Sequence, residues 1–315
     1  MKLNLTKLIA AILLSVLIAE GCSQNINLPT GVEFQATDFV FVSIDWAPDS
    51  ERLAVASPEV VYSGIHLVQQ KPSEIFVWNP DIDSYSQVSD QEYTYTNSDP
   101  VWNPKQEQIM FYSRTEFGDQ EQTGIIDIGS GEKFAITKFG PPMDWFPDGL
   151  KIIVGESNSL LMIDVVSKQM TPGLWRSNIP NEEIFDLAIS PDGQQIAVLV
   201  RDYPSPVQLW FVSKDGNEDF LILENQFMKK INWSPNGQWL IFVGNGGLFA
   251  LRPDNNCITD VLAIQETIQD IDWAPNGQQI AIAVYEGKKQ GVYFYDTDSE
   301  FIQEWLVSGN CSASE

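Results

Sequence analysis

Four polar residues recur at one place in this sequence, each directly before a tryptophan: Asp45-Trp46, Asp144-Trp145, Asn232-Trp233 and Asp272-Trp273. Carboxylates brought together from distant segments could bind a ligand or support hydrolysis. In a strand, adjacent side chains point to opposite faces, so these four face away from the tryptophans beside them. Two readings follow: a ring of polar groups around a shared channel, or a structural hydrogen bond repeated with the unit. The repetition favours the second.

Other chemistry is sparse. His66 is the only histidine, so a histidine-based triad has one possible base and no nucleophile motif near it. No Gly-x-Ser-x-Gly, His-Glu-x-x-His, Walker loop or paired-cysteine zinc pattern occurs. Asp296-Thr297-Asp298-Ser299-Glu300 alternates acids as a calcium loop does, but it lacks that loop's glycine and reads as a solvated turn. No catalytic residue, metal or cofactor is expected.

The elements that would position these residues come from a cassette such as Asn232-Trp233-Ser234-Pro235-Asn236-Gly237 followed by Leu240-Ile241-Phe242-Val243. It predicts a strand, a tight turn and a second apolar strand. Proline presets φ in the turn, asparagine bonds its own backbone, and glycine accepts positive φ. Six such prolines occur, Pro48, Pro104, Pro147, Pro191, Pro235 and Pro275, spaced 40 to 56 residues apart. A repeat of this length with several short strands is the mark of a propeller blade. The sequence therefore predicts an all-β, six-bladed β-propeller over residues 38–307, with four antiparallel strands per blade. Second strands apolar on both faces, such as Ile280-Ala281-Ile282-Ala283-Val284, suit sheets covered on both sides. Trp46, Trp102, Trp145, Trp233 and Trp273, with Ile189 in the fourth repeat, are expected between blades as core.

The connections after the second strands differ most in length and emerge opposite the proline turns. Tyr62 and His66 lie in the longest, Ser57 to Ser73. Glu116, Phe117 and Asp119, then Tyr203, then Tyr285 and Lys288, occupy three others. Loops of varied length gathered on one face are where such scaffolds carry binding surfaces, so these eight residues are the candidate contact set.

The cassette resembles the repeats of TolB-like and WD-repeat-like propellers, including the propeller domains of prolyl-oligopeptidase-type and tricorn-type peptidases. Asp49-Ser50 and Pro104-Lys105 depart from the pattern in the first two repeats. The resemblance implies six blades around a central channel used chiefly for protein or ligand contacts. It does not carry over TolB's role in the Tol–Pal system, because the separate α/β domain of that protein has no counterpart here.

The first 21 residues stand apart. Lys2 and Lys7 precede an apolar run from Leu8 to Ala19, which reads as a signal peptide. Cys22 behind it resembles the lipidated cysteine of bacterial lipoproteins. Ala19 and Gly21 suit that motif and Glu20 departs from it. Residues 22–37 then read as a lipidated N-terminus and tether, and 308–315 as a tail. With Ser23 after Cys22, the resemblance implies the bacterial envelope, at the outer membrane facing the periplasm, with the membrane met through the lipid only. The formal charge is −25 over 315 residues, which argues against nucleic acid and anionic headgroups as partners. A monomer with a protein partner of unspecified identity is expected. Two cysteines remain, Cys257 and Cys311, and an oxidising compartment would make them a candidate disulfide.

Overall fold

The computed structural model describes residues 31–36, 40–63, 66–89, 95–115, 120–177, 182–202, 204–225, 227–264, 266–286 and 289–297. The first strand is β1 (Val32–Ala36). Blade one holds β2 (Ser43–Trp46), β3 (Leu53–Ser63), β4 (His66–Asn79) and β5 (Ser84–Gln87). Blade two holds β6 (Tyr95–Trp102), β7 (Gln108–Thr115), β8 (Glu121–Asp127) and β9 (Lys133–Thr137). Blade three holds β10 (Met143–Trp145), β11 (Lys151–Glu156), β12 (Ser159–Asp164) and β13 (Met170–Arg176). Blade four holds β14 (Glu183–Ile189), β15 (Gln195–Arg201), β16 (Val207–Ser213) and β17 (Asp219–Asn225). Blade five holds β18 (Lys229–Trp233), β19 (Leu240–Gly244), β20 (Gly247–Arg252) and β21 (Cys257–Ala263). Blade six takes β22 (Thr267–Trp273), β23 (Gln279–Glu286) and β24 (Lys289–Asp296) from the end of the chain and β1 from its beginning. Every sheet is antiparallel, as the six-bladed reading requires.

The proline turns build alike. Gly149, Gly193, Gly237 and Gly277 sit at φ near +70°, and each amide donates to the carbonyl three residues earlier. In the first repeat Ser50 takes the same bond to Ala47 at φ 60°, so the departure there keeps the turn without its glycine. The second repeat solves the turn differently. Asn103 Oδ1 accepts from the Lys105 and Gln106 amides, an Asx-type turn that needs no positive φ.

The motif tryptophans are 3% to 7% exposed and Ile189 is 8% exposed. Trp46, Trp102, Trp145, Ile189 and Trp233 each lie in a cluster shared by two neighbouring blades. Trp102, for example, packs with Ala54, Ile75 and Val77 of blade one and Ile109 and Phe111 of its own blade. Their common position therefore fills the wedge between sheets.

Two expectations are corrected. Residues 32–36 are not tether: β1 pairs with β24 from Val32↔Tyr295 to Ala36↔Gly291 and closes the ring. It occupies the outer-strand slot of blade six. The reason is local. Val32, Phe34 and Ala36 alternate with Glu33 and Gln35, and Phe34 lies 4.7 Å from the Tyr293 ring. The connection Ser57 to Ser73 is likewise not an open loop. β3 and β4 pair onward through Val60↔Gln70 and Tyr62↔Leu67 to Ser63↔His66, so blade one projects a two-stranded ribbon from the face opposite the proline turns. Its β-branched Val60, Val61 and Val68 suit a pleated strand.

Candidate functional site

The innermost strands of the six blades surround the channel, and the four polar residues that precede the tryptophans line it. Three of them clamp the next blade. Asp45 Oδ2 accepts the Trp102 amide at 2.7 Å, Asp144 Oδ2 the Ile189 amide at 2.7 Å, and Asp272 Oδ2 the Trp46 amide at 2.5 Å. Asn232 does the same with its Oδ1 toward the Trp273 amide at 3.2 Å, while its amide nitrogen donates to Asp272 Oδ1 at 2.7 Å. Both readings of these residues therefore hold at once: they face the channel and each makes an interblade bond.

The tryptophan indoles complete the pattern. Where the preceding blade offers Val101 or Ala188 in place of a polar residue, the indole donates to that residue's carbonyl: Trp145 Nε1 to Val101 at 3.2 Å, Trp233 Nε1 to Ala188 at 3.1 Å. Where it offers Asp45, Asn232 or Asp272, the indole nitrogens of Trp102, Trp273 and Trp46 are buried with no partner. Each interblade seam thus uses one device or the other. Replacing Trp233 by Phe should cost about 1 kcal/mol more in unfolding free energy than replacing Trp273 by Phe, because only the first loses a made bond. Equal losses in denaturant titrations of the two variants would contradict this.

A second tier lies toward the ribbon face. Bulges interrupt β14 between Ile184 and Asp186, β18 between Lys229 and Ile231, and β22 between Ile268 and Asp270. They turn Asp186, Lys230 and Asp270 into the channel, joined by Asp99. Asp186 Oδ2 accepts the Ile231 amide at 2.7 Å, and Asp270 Oδ2 accepts the Ile44 amide at 3.0 Å and the Ser43 hydroxyl at 2.8 Å. Lys230 Nζ stands 3.4 Å from Asp270 Oδ1. At this end the open space is a cavity of about 110 Å³; at the proline end all six motif prolines rim one of about 360 Å³.

Burial governs the electrostatics. It pushes Asp144 up to about 7, against the amide bonds from Ile189 and Trp145. Asp272 rises to about 8 through burial, with the Asp270 charge adding to it. Asp186 rises to about 6, with Lys230 opposing the effect of burial. Asp45 is raised well above the carboxylate range by burial and by Asp272. Burial works against the Lys230 charge, but Asp270, Asp186 and Asp99 outweigh it and hold the ammonium above the ordinary lysine range. Such a ring exchanges protons near neutral pH, while its oxygens are engaged by backbone amides.

No protein-family model matches the chain. It is 30% identical over 284 residues to the uncharacterized protein YidR of Escherichia coli strain K12, a match spanning 83% of this chain and 64% of YidR. Among solved structures it superposes on TolB of Acinetobacter baumannii with a TM-score of 0.60 at 12% identity, covering 87% of this chain and 66% of that one. The fold is that of a TolB-like β-propeller. An oligogalacturonate lyase in complex with manganese also superposes, with a TM-score of 0.53 at 10% identity over 87% of this chain and 93% of the lyase. The chain spans just under two thirds of both YidR and TolB.

In this TolB-like propeller no group of three or more His, Cys, Asp or Glu among the described residues could hold a metal ion. Of the loop-face candidates, Tyr62 and His66 sit by their backbone near the tip of the β3–β4 ribbon, and Tyr285 is half-buried on β23. Glu116, Phe117, Asp119, Tyr203 and Lys288 lie outside the described residues, as do Cys22 and Cys311. Cys257 is disulfide-bonded, with its partner outside the described residues. The second tier was missed by sequence reasoning because the bulges shift the register. One signal did exist: Asp270-Ile271-Asp272 places two carboxylates on one strand face.

Proposed function

We propose that this chain is a non-enzymatic, lipid-anchored propeller of the bacterial envelope that acts as a protein-interaction module. One observation carries the non-enzymatic part: Asp45, Asp144, Asp186, Asp270 and Asp272 are each engaged by a backbone amide of the neighbouring blade, so these five acids serve closure. The ribbon of blade one supports the interaction part, since it extends β3 and β4 past the last blade-one pairing that a four-stranded sheet needs. Lipidation at Cys22 rests on the sequence and would tether the module to the outer membrane.

Two measurements test this reading. Metabolic labelling with an alkyne fatty acid should mark the wild type and lose at least nine tenths of its signal in Cys22→Ser; equal labelling would remove the anchor. Affinity capture from membranes of the native host should retain a protein with the intact chain and lose it when the ribbon is shortened between Pro58 and Ser73. The alternative, a glycan- or peptide-binding or hydrolytic propeller that uses the central channel, replaces this reading if neither form retains a protein and a polysaccharide or peptide binds the channel.

A further inference from the structure

Each blade ends on an outer strand, and in five of the six a polar, charged or proline residue leaves no more than three apolar residues in a row. β1 carries Glu33 and Gln35, β5 is polar except for Tyr85, β9 opens on Lys133, β13 contains Pro172, and β21 contains Asp260. Charges and proline on an edge are the usual protection against strand addition. β17 also opens on Asp219, carries Glu224 and bulges at Ile222, but between its acids it runs Phe220-Leu221-Ile222-Leu223, and it is the last strand of its sheet. Ile222 and Leu223 pack inward against the cluster shared with blade five. Phe220 is 61% exposed and Leu221 44%.

The edge is also held in place. Trp175 of blade three donates its indole N–H to Asp219 at 2.6 Å. Gly216, in the turn leading into β17, approaches blade three so closely that a Cβ there would lie 1.6 Å from the Leu174 carbonyl oxygen. A fixed strand loses little conformational entropy when another pairs with it. Around the apolar run stand Asp215, Glu218, Asp219 and Glu224, with Lys214 the one basic side chain between Ser213 and Asn225.

We propose that β17 is a docking edge for an extended segment of a partner protein, apolar at its centre and basic at its ends, added as a fifth strand to blade four. This rests on the reading of the chain as a protein-interaction module and names the surface and the chemistry of the partner. Backbone bonds to the open edge would give affinity, the exposed Phe220 and Leu221 would take the partner's apolar side chains, and the flanking acids would select lysine or arginine. Like-charge repulsion also disfavours a second copy as the occupant, because each chain carries a formal −25.

The test is photo-crosslinking of the full chain in cells of its native host, with p-benzoylphenylalanine at Phe220 and, separately, at Ser63 on the blade-one ribbon. The expected result is an adduct at Phe220 whose mapped peptide has an apolar centre and basic flanks, reduced at least tenfold by Leu221→Lys. An adduct at Ser63 alone overturns the docking edge and leaves the interaction module standing. Adducts at neither position overturn both. An adduct with a second copy or with lipid overturns the assigned occupant. An adduct that Leu221→Lys leaves unchanged overturns strand addition.

Discussion

Asp272→Ala should lower the thermal unfolding midpoint on the order of 10 °C. The side chain is 6% exposed and holds two neighbours, the Trp46 amide of blade one and the Asn232 side-chain amide of blade five. Alanine leaves the Trp46 donor buried and unpaired, at about 1–3 kcal/mol, and the Asn232 donor half-buried, at somewhat less. The seam matters as well. Blade six is the blade assembled from both ends of the chain, and Asp272 with Asp270 binds it to blade one. Asp272→Asn keeps an acceptor for Trp46 and removes the charge, so it should lose less than half as much. Circular dichroism melts at pH 7 decide: if alanine sits within 2 °C of wild type, the side chain is no clamp.

The clamp explains how much of the molecule could be read in advance. Proline, asparagine and glycine in a fixed order force the same turn wherever they occur, so blade count and the buried tryptophans followed from Pro48 to Pro275. Asp45, Asp144, Asn232 and Asp272 could be placed toward the channel because strand alternation is a local rule. What they bond to could not be read, because the acceptor's partner belongs to a strand some 40 residues or more away. Bulges are also invisible to simple periodicity, and they delivered Asp186, Lys230 and Asp270. β1 failed for another reason: five alternating residues near a terminus look like linker until a partner strand is known. Gly216 and the open edge of β17 are meaningful only once blade three stands beside blade four.

The second large effect is a loss of stability as pH rises from 5 to 9. Unfolded aspartate titrates near 3.9, whereas in the fold Asp186 lies at about 6, Asp144 at about 7 and Asp272 at about 8. A group with a raised folded value binds its proton more tightly in the native state. Its contribution is complete below pH 4 and disappears as pH climbs through the folded value. The groups facing one another are Asp45, Asp99, Asp144, Asp186, Lys230, Asp270 and Asp272, at least one from every innermost strand. Lys230 is raised as well, but from the lysine range, so its contribution is constant across this window and is lost only above the ordinary lysine range. Turn acids set the lower limit. Asp192 is held low by the Ser190 hydroxyl and Asp164 by the Ser167 amide, so both favour the fold above pH 4 and weaken it below. Stability should therefore peak near pH 4 and fall on the order of 3 kcal/mol by pH 9, a fraction of the full shifts because ionised acids draw in water. Lys230→Met removes the one ammonium among these acids and should steepen that fall, costing more at pH 8 than at pH 5. The double variant Asp144→Asn, Asp272→Asn should flatten it. Denaturant midpoints across pH 5 to 9 measure all three, and a wild type that grows more stable toward pH 9 would mean the ring is ionised throughout and that Lys230 neutralises more of it than its 3.4 Å contact with Asp270 suggests.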